Sequence, residues 1–294
     1  MDNNRDHDGF FKFVYSVPVN ARALLELSAR NNGNLSRMLA DIDLGTLERL
    51  PSTYNNVGER GEADVAFKAK AAGKDVFVGL LLEHKSYDDN AVIDQIGRYM
   101  FNVMVDKNNT DFRWLPSKAV IIYNGRKDWD PLATFRNKER AKFQGNDLPF
   151  ECVLVNLADI ADEDISASEN PEAALGALIM KYAFNAKAIE ERLSLVESLF
   201  EKMPNNLRSL MLEKIKVYLG EYISKEYFME LEKEFVSIGQ RLGFESAGDY
   251  RRKLEKQVAN QAKEISTLAN ENSSLTNENA ALRARIAEFM ANKA

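Results

Sequence analysis

Two strand-like segments around a turn at Gly73-Lys74 constrain this chain more than any other feature in it. Glycine at the first of two turn positions supplies the positive φ of a type II′ turn, so Ala63–Glu83 predicts a tight antiparallel hairpin. In that register Asp64 lies directly opposite Glu83. Side chains alternate along a strand, so Lys85 projects on the same side as Glu83. Two carboxylates and an ammonium group therefore converge at one end of a sheet.

Such a cluster suits a divalent cation held beside a scissile phosphate. Mg²⁺ takes hard oxygen ligands and usually accepts only one or two carboxylates from protein. Asp64 and Glu83 supply those, and the main-chain carbonyl of His84 is a third candidate ligand. Lys85 is placed to orient an attacking water and to stabilise developing negative charge. Two neighbouring carboxylates favour its charged form over a role as base. Gln95 and Tyr99, one turn apart on the next predicted helix, share a face that can look toward the same end. An Asp, a Glu and a Lys at a strand end also make an ordinary solvated ion-pair cluster. By hairpin geometry alone that arrangement is the commoner one.

Composition narrows the remaining classes. The chain has 294 residues, 45% of them hydrophobic, which is enough for a sizeable core. Its single cysteine, Cys152, excludes an intramolecular disulfide framework and fits a reducing compartment. The polar, acidic start resembles no secretory signal, and the longest apolar run, Val76–Leu82, is far too short for a bilayer. A cytoplasmic location with no membrane partner is expected. A formal charge of −6 counts mildly against a nucleic-acid partner unless one face is locally basic. With only His7 and His84, neither a histidine-rich zinc site nor a full histidine-dependent triad is easily built.

Residues 8–30 read as helical, with Pro18 suited to an early-helix position. Asp41–Leu50 reads as a short connecting segment, and Leu50–Tyr54 as the approach to an edge strand. After the hairpin, Asn90–Lys107 is an amphipathic helix with Ile93, Ile96, Gly97, Met100, Val103 and Met104 on one face. Lys118–Gly125 is a buried strand ending in a turn signal, and Glu151–Leu157 is one more strand. This order predicts an α/β domain with a mixed central sheet over residues 1–165. From Asn170 the patterns are helical through Phe200, Leu207–Leu219, Lys225–Gly239 and Ser246 onward, so 170–250 is expected to be a helical accessory region.

The C-terminus repeats in heptads over 251–292. Leu254, Leu268, Leu275, Leu282 and Phe289 take d positions, with Gln261 the one polar exception. Val258, Ile265, Asn272, Asn279 and Ile286 take a positions. This predicts a coiled coil, and two asparagines at a favour a parallel, in-register homodimer because they pair best with each other. Glu278 at g and Arg283 at the following e can form an interchain pair.

Asp64 with Glu83-His84-Lys85 resembles the PD-(D/E)xK nuclease signature. The surrounding stretches resemble the Rpn-type recombination-promoting nucleases, the YhgA-like transposase family. They are His7–Lys12, Leu44–Pro51, Leu80–Ser86, Gln95–Met100 and Val120–Gly125, in matching order across roughly residues 6–160. The resemblance implies a restriction-endonuclease-like core followed by the helical region and the coil, and Mg²⁺-dependent (or Mn²⁺-dependent) hydrolysis of DNA. It implies Asp64 and Glu83 as metal ligands, Lys85 as the catalytic lysine and Gln95 as a further site residue. Ala63 replaces the proline of the signature, and many family members carry Gln where Lys85 stands. Glu26 is a candidate for the helical carboxylate of such folds, although no motif fixes it. Two readings stand side by side: an endodeoxyribonuclease paired through its coil, and a non-catalytic nuclease-fold protein that binds or assembles through that coil.

Overall fold

The computed structural model describes residues 7–50, 53–56, 59–62, 64–73, 77–105, 117–133, 148 and 150–291. The chain divides into two compact units, Met1–Phe244 and Glu245–Ala294.

The first unit opens with α1 (His7–Tyr15), α2 (Pro18–Ala29) and α3 (Gly33–Leu39). The single helix expected over 8–30 is thus two. Val17 precedes a proline, which excludes the helical region, and it sits at φ −84°, ψ 120° while Pro18 begins the next helix. The break is held on both sides: Ser16 Oγ donates to the Lys12 carbonyl, and Asn20 Nδ2 donates to the Val14 carbonyl at 2.9 Å.

The strands are β1 (Ile42–Leu50), β2 (Thr53–Asn56), β3 (Glu59–Glu62), β4 (Val65–Ala71), β5 (Phe77–Lys85), β6 (Ser117–Tyr123) and β7 (Glu151–Asn156). Five of them form a mixed sheet in the order β1-β4-β5-β6-β7. The first three pair antiparallel, and β5-β6-β7 run parallel. The α/β class and mixed sheet expected from the sequence are present. So is the hairpin register: Val65 pairs with Leu82 and Lys70 with Phe77. Gly73 has φ +70°, the conformation that a turn glycine is needed for. Residues 74–76 of the loop lie outside the described residues.

Asp41–Leu50 is not a connector but largely the edge strand β1. Its pairing slips between Asp43 and Glu48, so the burial pattern loses the strict alternation that marks a strand in sequence. At the slip, Thr46 Oγ1 accepts the Lys70 N–H at 2.8 Å and donates to the Asp43 carbonyl at 2.7 Å. The strand expected to follow Leu50 is β2, but it pairs with β3 in a separate two-stranded ribbon.

Alternation along β5 sorts its side chains onto two layers. Leu80 and Leu82 face the larger core, and Leu81 faces the smaller one beneath α4 (Val92–Val105). On α4, Val92, Ile96, Tyr99 and Met100 are buried, close to the face read from the sequence; the side chains of Val103 and Met104 lie outside the described residues.

After β7 come α5 (Asp162–Ser166), α6 (Pro171–Lys181), α7 (Ala186–Glu190), α8 (Leu193–Glu201), α9 (Asn205–Tyr222) and α10 (Lys225–Arg241). Asn170 caps α6 by accepting the Ala173 N–H at 2.9 Å, and Pro171 fills the first turn. Leu178, Phe200, Leu219 and Phe235 from these helices share one hydrophobic cluster with Leu80, Leu82 and Ile122 of the sheet. The helical region and the sheet therefore bury a common core. Gly176 fits this packing closely, because a Cβ there would meet Tyr15 Oη and Val14 Cγ1, each at 2.9 Å.

The second unit carries one 45-residue helix, α11 (Ala247–Ala291). Ser246 Oγ accepts the Asp249 N–H at 3.1 Å, as an N-cap does, and donates to Asp249 Oδ2 at 2.7 Å. Its heptad stripe is laid open to solvent: Val258, Ile265, Leu268, Leu275, Leu282 and Ile286 are all exposed. Among the described residues no helix is long and apolar enough to cross a membrane.

Candidate active site

The C-terminal end of β5 carries charge out of a buried strand. β5 lies between β4 and β6, and its run Val78–Leu82 is buried on both faces. Beyond Leu82, alternation sends Glu83 and Lys85 to the α4 side and His84 to the opposite side. The Val65–Leu82 pair is the last of the ladder, so Asp64 and Glu83 are the next two residues outward. They meet there: the Asp64 N–H donates to Glu83 Oε2 at 3.4 Å, and the His84 N–H donates to Asp64 Oδ2 at 2.8 Å.

Lys85 ties the group together. Its ammonium lies 3.1 Å from Glu83 Oε1 and 3.0 Å from Asp89 Oδ2, and it donates to Gln95 Oε1 at 2.9 Å. Asp64, Glu83, Lys85 and Asp89 all lie between 5% and 9% exposed, so this is not a solvated surface cluster. Of the residues expected from the sequence, Asp64, Glu83, Lys85 and Gln95 come together. Tyr99 is buried in the core beneath α4, and Glu26 lies on the exposed face of α2, bonded to Arg22 at 2.7 Å.

The His84 imidazole faces away from the cluster. It stacks on Phe11 at 5.1 Å between centroids, and its Nε2 lies 3.0 Å from Asn124 Oδ1. Asn124 Nδ2 donates to the Met180 carbonyl at 2.8 Å and to Tyr218 Oη at 3.0 Å, so its oxygen can only accept, and His84 Nε2 carries the proton. What His84 offers a cation at the Asp64–Glu83 end is its main-chain carbonyl. The Asn124 N–H also donates to the Lys85 carbonyl at 3.1 Å. Asn124 thus locks the strand segment that sets Glu83 and Lys85 on one side. We expect Asn124→Ala to lower the unfolding free energy by about 2–4 kcal/mol, because it strands buried polar groups on β5, α6 and α9. A urea unfolding series on both proteins reads that loss.

Burial is the main force on Glu83 and raises its pKa well above the ordinary carboxylate range; the neighbouring Asp64 adds to the rise, and Lys85 opposes it. Burial pulls the Lys85 pKa down, but Glu83 and the hydrogen bond to Asp89 outweigh it and hold the ammonium above its usual value. Lys85 is therefore a firm cation and a poor base. The carboxylates are hard oxygen donors crowded at one sheet end, which is the chemistry of a divalent-cation site. Among the described residues, no set of three or more Asp, Glu, His or Cys side chains forms a ready-made metal centre. The charge that a cation would meet is shared out instead between lysines, since Lys12 Nζ lies 3.1 Å from Asp64 Oδ1.

Three of these residues were not singled out from sequence. Lys12 follows Phe11, whose packing on His84 brings α1 to the site. Asp89 lies one helical turn's spacing beyond Lys85 but in a loop, where that spacing carries no helix signal. Asn124 read only as the first half of a turn dipeptide.

No curated protein and no solved structure gave a match. The profile of one family, described as "Putative transposase, YhgA-like", matches residues 5–211. That span takes in α1, the whole five-stranded sheet and every residue of the cluster. It covers well over half of the chain, and the chain belongs to the YhgA-like transposase family.

Proposed function

We propose that this protein is a metal-dependent DNA endonuclease of the recombination-promoting, transposase-like type, built on a restriction-endonuclease-like core. The observation that carries the reading is the buried convergence of Asp64, Glu83 and Lys85 at the end of a central strand, with Gln95 closing it from α4. Two adjacent buried carboxylates are costly to keep ionised without a cation, and a functional site is where such cost is tolerated. Asp64, Glu83 and the main-chain carbonyl of His84 are the donors that suit Mg²⁺ or Mn²⁺. A bound cation would neutralise charge at the phosphorus and lower the pKa of an attacking water.

The chain's own groups set the rest of the chemistry. Lys85, kept charged by Glu83 and Asp89, orients the water and faces the negative charge that builds in the transition state. Gln95 and Asp89 both hold the Lys85 ammonium. The exposed heptad stripe of α11 fits a parallel pairing of two copies, which supplies one site for each strand of a duplex.

That same stripe favours a second reading, in which the fold is a binding module and the coil is the working part. Calorimetry with Mn²⁺ on the full chain separates the two. The nuclease reading expects heat that disappears in Glu83→Ala; no heat in the wild type favours the binding module.

A further inference from the structure

Among the described residues, Lys12 is the most exposed member of the charged cluster and the only one contributed by α1. Its side chain is 31% exposed, against 7% for Asp64, 8% for Glu83 and 10% for Lys85. It therefore stands on the solvent side of the carboxylates. Its position is not accidental packing of a long side chain. Phe11 is fully buried against His84, and Phe10 stacks on Tyr218 at 4.7 Å, so α1 is pinned between the catalytic strand and α9.

We propose that Lys12 is a substrate-phosphate contact of this site, and that it holds Asp64 only until a divalent cation takes that carboxylate. The inference rests on the nuclease reading. Charge balance supports it. Among the described residues, Asp64, Glu83 and Asp89 contribute three negative charges, and Lys12 and Lys85 contribute two positive ones. With all of them ionised, a divalent cation leaves the cluster one charge positive, and a single phosphodiester cancels that excess. Without Lys12 the loaded site would be neutral and would turn negative as the DNA strand entered. A lysine suits the task because its flexible stem can swing a compact charge from one oxygen to another.

A role confined to bracing Asp64 makes the opposite prediction for metal binding, which gives the test its edge. Lys12→Met and Lys12→Arg are compared with the wild-type full chain by Mn²⁺ calorimetry without DNA. Cleavage rates are measured beside them, and DNA affinity is followed against salt in a Lys85→Ala background. Removing a competing ammonium should tighten Mn²⁺ binding about fivefold in Lys12→Met. Cleavage should fall by on the order of 100-fold, and the slope of log affinity against log salt should drop by about 1. Lys12→Arg, which keeps the charge, should retain the slope. Weaker Mn²⁺ binding in Lys12→Met together with an unchanged salt slope would overturn the assignment and leave Lys12 as a brace. If the wild type neither binds Mn²⁺ nor cleaves, the nuclease reading fails; if it does both and Lys12→Met matches it, only the Lys12 assignment fails.

Discussion

Glu83→Gln is expected to abolish DNA cleavage while making the metal-free protein more stable at alkaline pH. The substitution keeps the shape of the side chain and its bond to the Asp64 N–H but removes a charge from the most crowded point of the cluster. Loss of a ligand to the cation should cost cleavage on the order of 1,000-fold. The stability effect has the opposite sign. The Glu83 pKa is raised in the fold, chiefly by burial and then by Asp64. Its stabilising contribution is therefore complete below the unfolded carboxylate value and is lost as pH climbs through the raised one. In the metal-free wild type, stability should fall over that window, and the Gln variant should be spared. The gain at pH 8 should be about 1–2 kcal/mol, read as a higher denaturant midpoint in EDTA. Equal pH dependence in the two proteins would remove the buried charge from the account.

Paired substitution of Leu268 and Leu275 by Ala should convert a dimer into a monomer. Both are d positions of α11 and more than half exposed in the single chain, at 52% and 55%. A helix of 45 residues with an apolar stripe along it gains little from burial unless a second helix covers the stripe. In a parallel, in-register pair Asn272 and Asn279 each meet their own copies, whereas an antiparallel pair sets them against leucine. Each Leu→Ala change should cost about 2–5 kcal/mol per pair of side chains, so the double variant should raise the dissociation constant by several orders of magnitude. Sedimentation velocity across a concentration series reads this directly. The companion Asn272→Ile/Asn279→Ile should stay associated, melt higher and lose its strict two-chain state. A wild type that sediments as a monomer at all concentrations would leave the stripe without its proposed occupant.

Local chemistry explains which parts of the fold were legible in the sequence. The β4–β5 hairpin was readable because glycine marks its turn, and the position of that turn then fixes one register. That register alone brings Asp64, Glu83 and Lys85 together. A central strand such as β6 carries an unbroken apolar run, Ala119–Tyr123, which the edge strand β1 cannot do because its bulge shifts the alternation partway along. The split at Ser16–Val17 was written in Pro18, whose effect on the preceding residue outweighs the helical pattern on either side.

The missing site residues share one property: each reaches the cluster through tertiary packing, not spacing. Lys12 arrives because Phe11 docks on His84, and Asn124 because β6 ends beside α6 and α9. Asp89 arrives by way of a loop whose carboxylate also accepts the Ala91 N–H at 2.8 Å, just ahead of α4. No period in the sequence encodes such meetings.

Cleavage of supercoiled plasmid by the purified full chain, with Mg²⁺ titrated from zero and Asp64→Ala run beside the wild type, tests the central claim most directly. The account predicts nicking or linearisation that requires the metal, stops in EDTA and drops by at least about 1,000-fold in Asp64→Ala. Cleavage by Asp64→Ala at the wild-type rate, or by the wild type without metal, would contradict it.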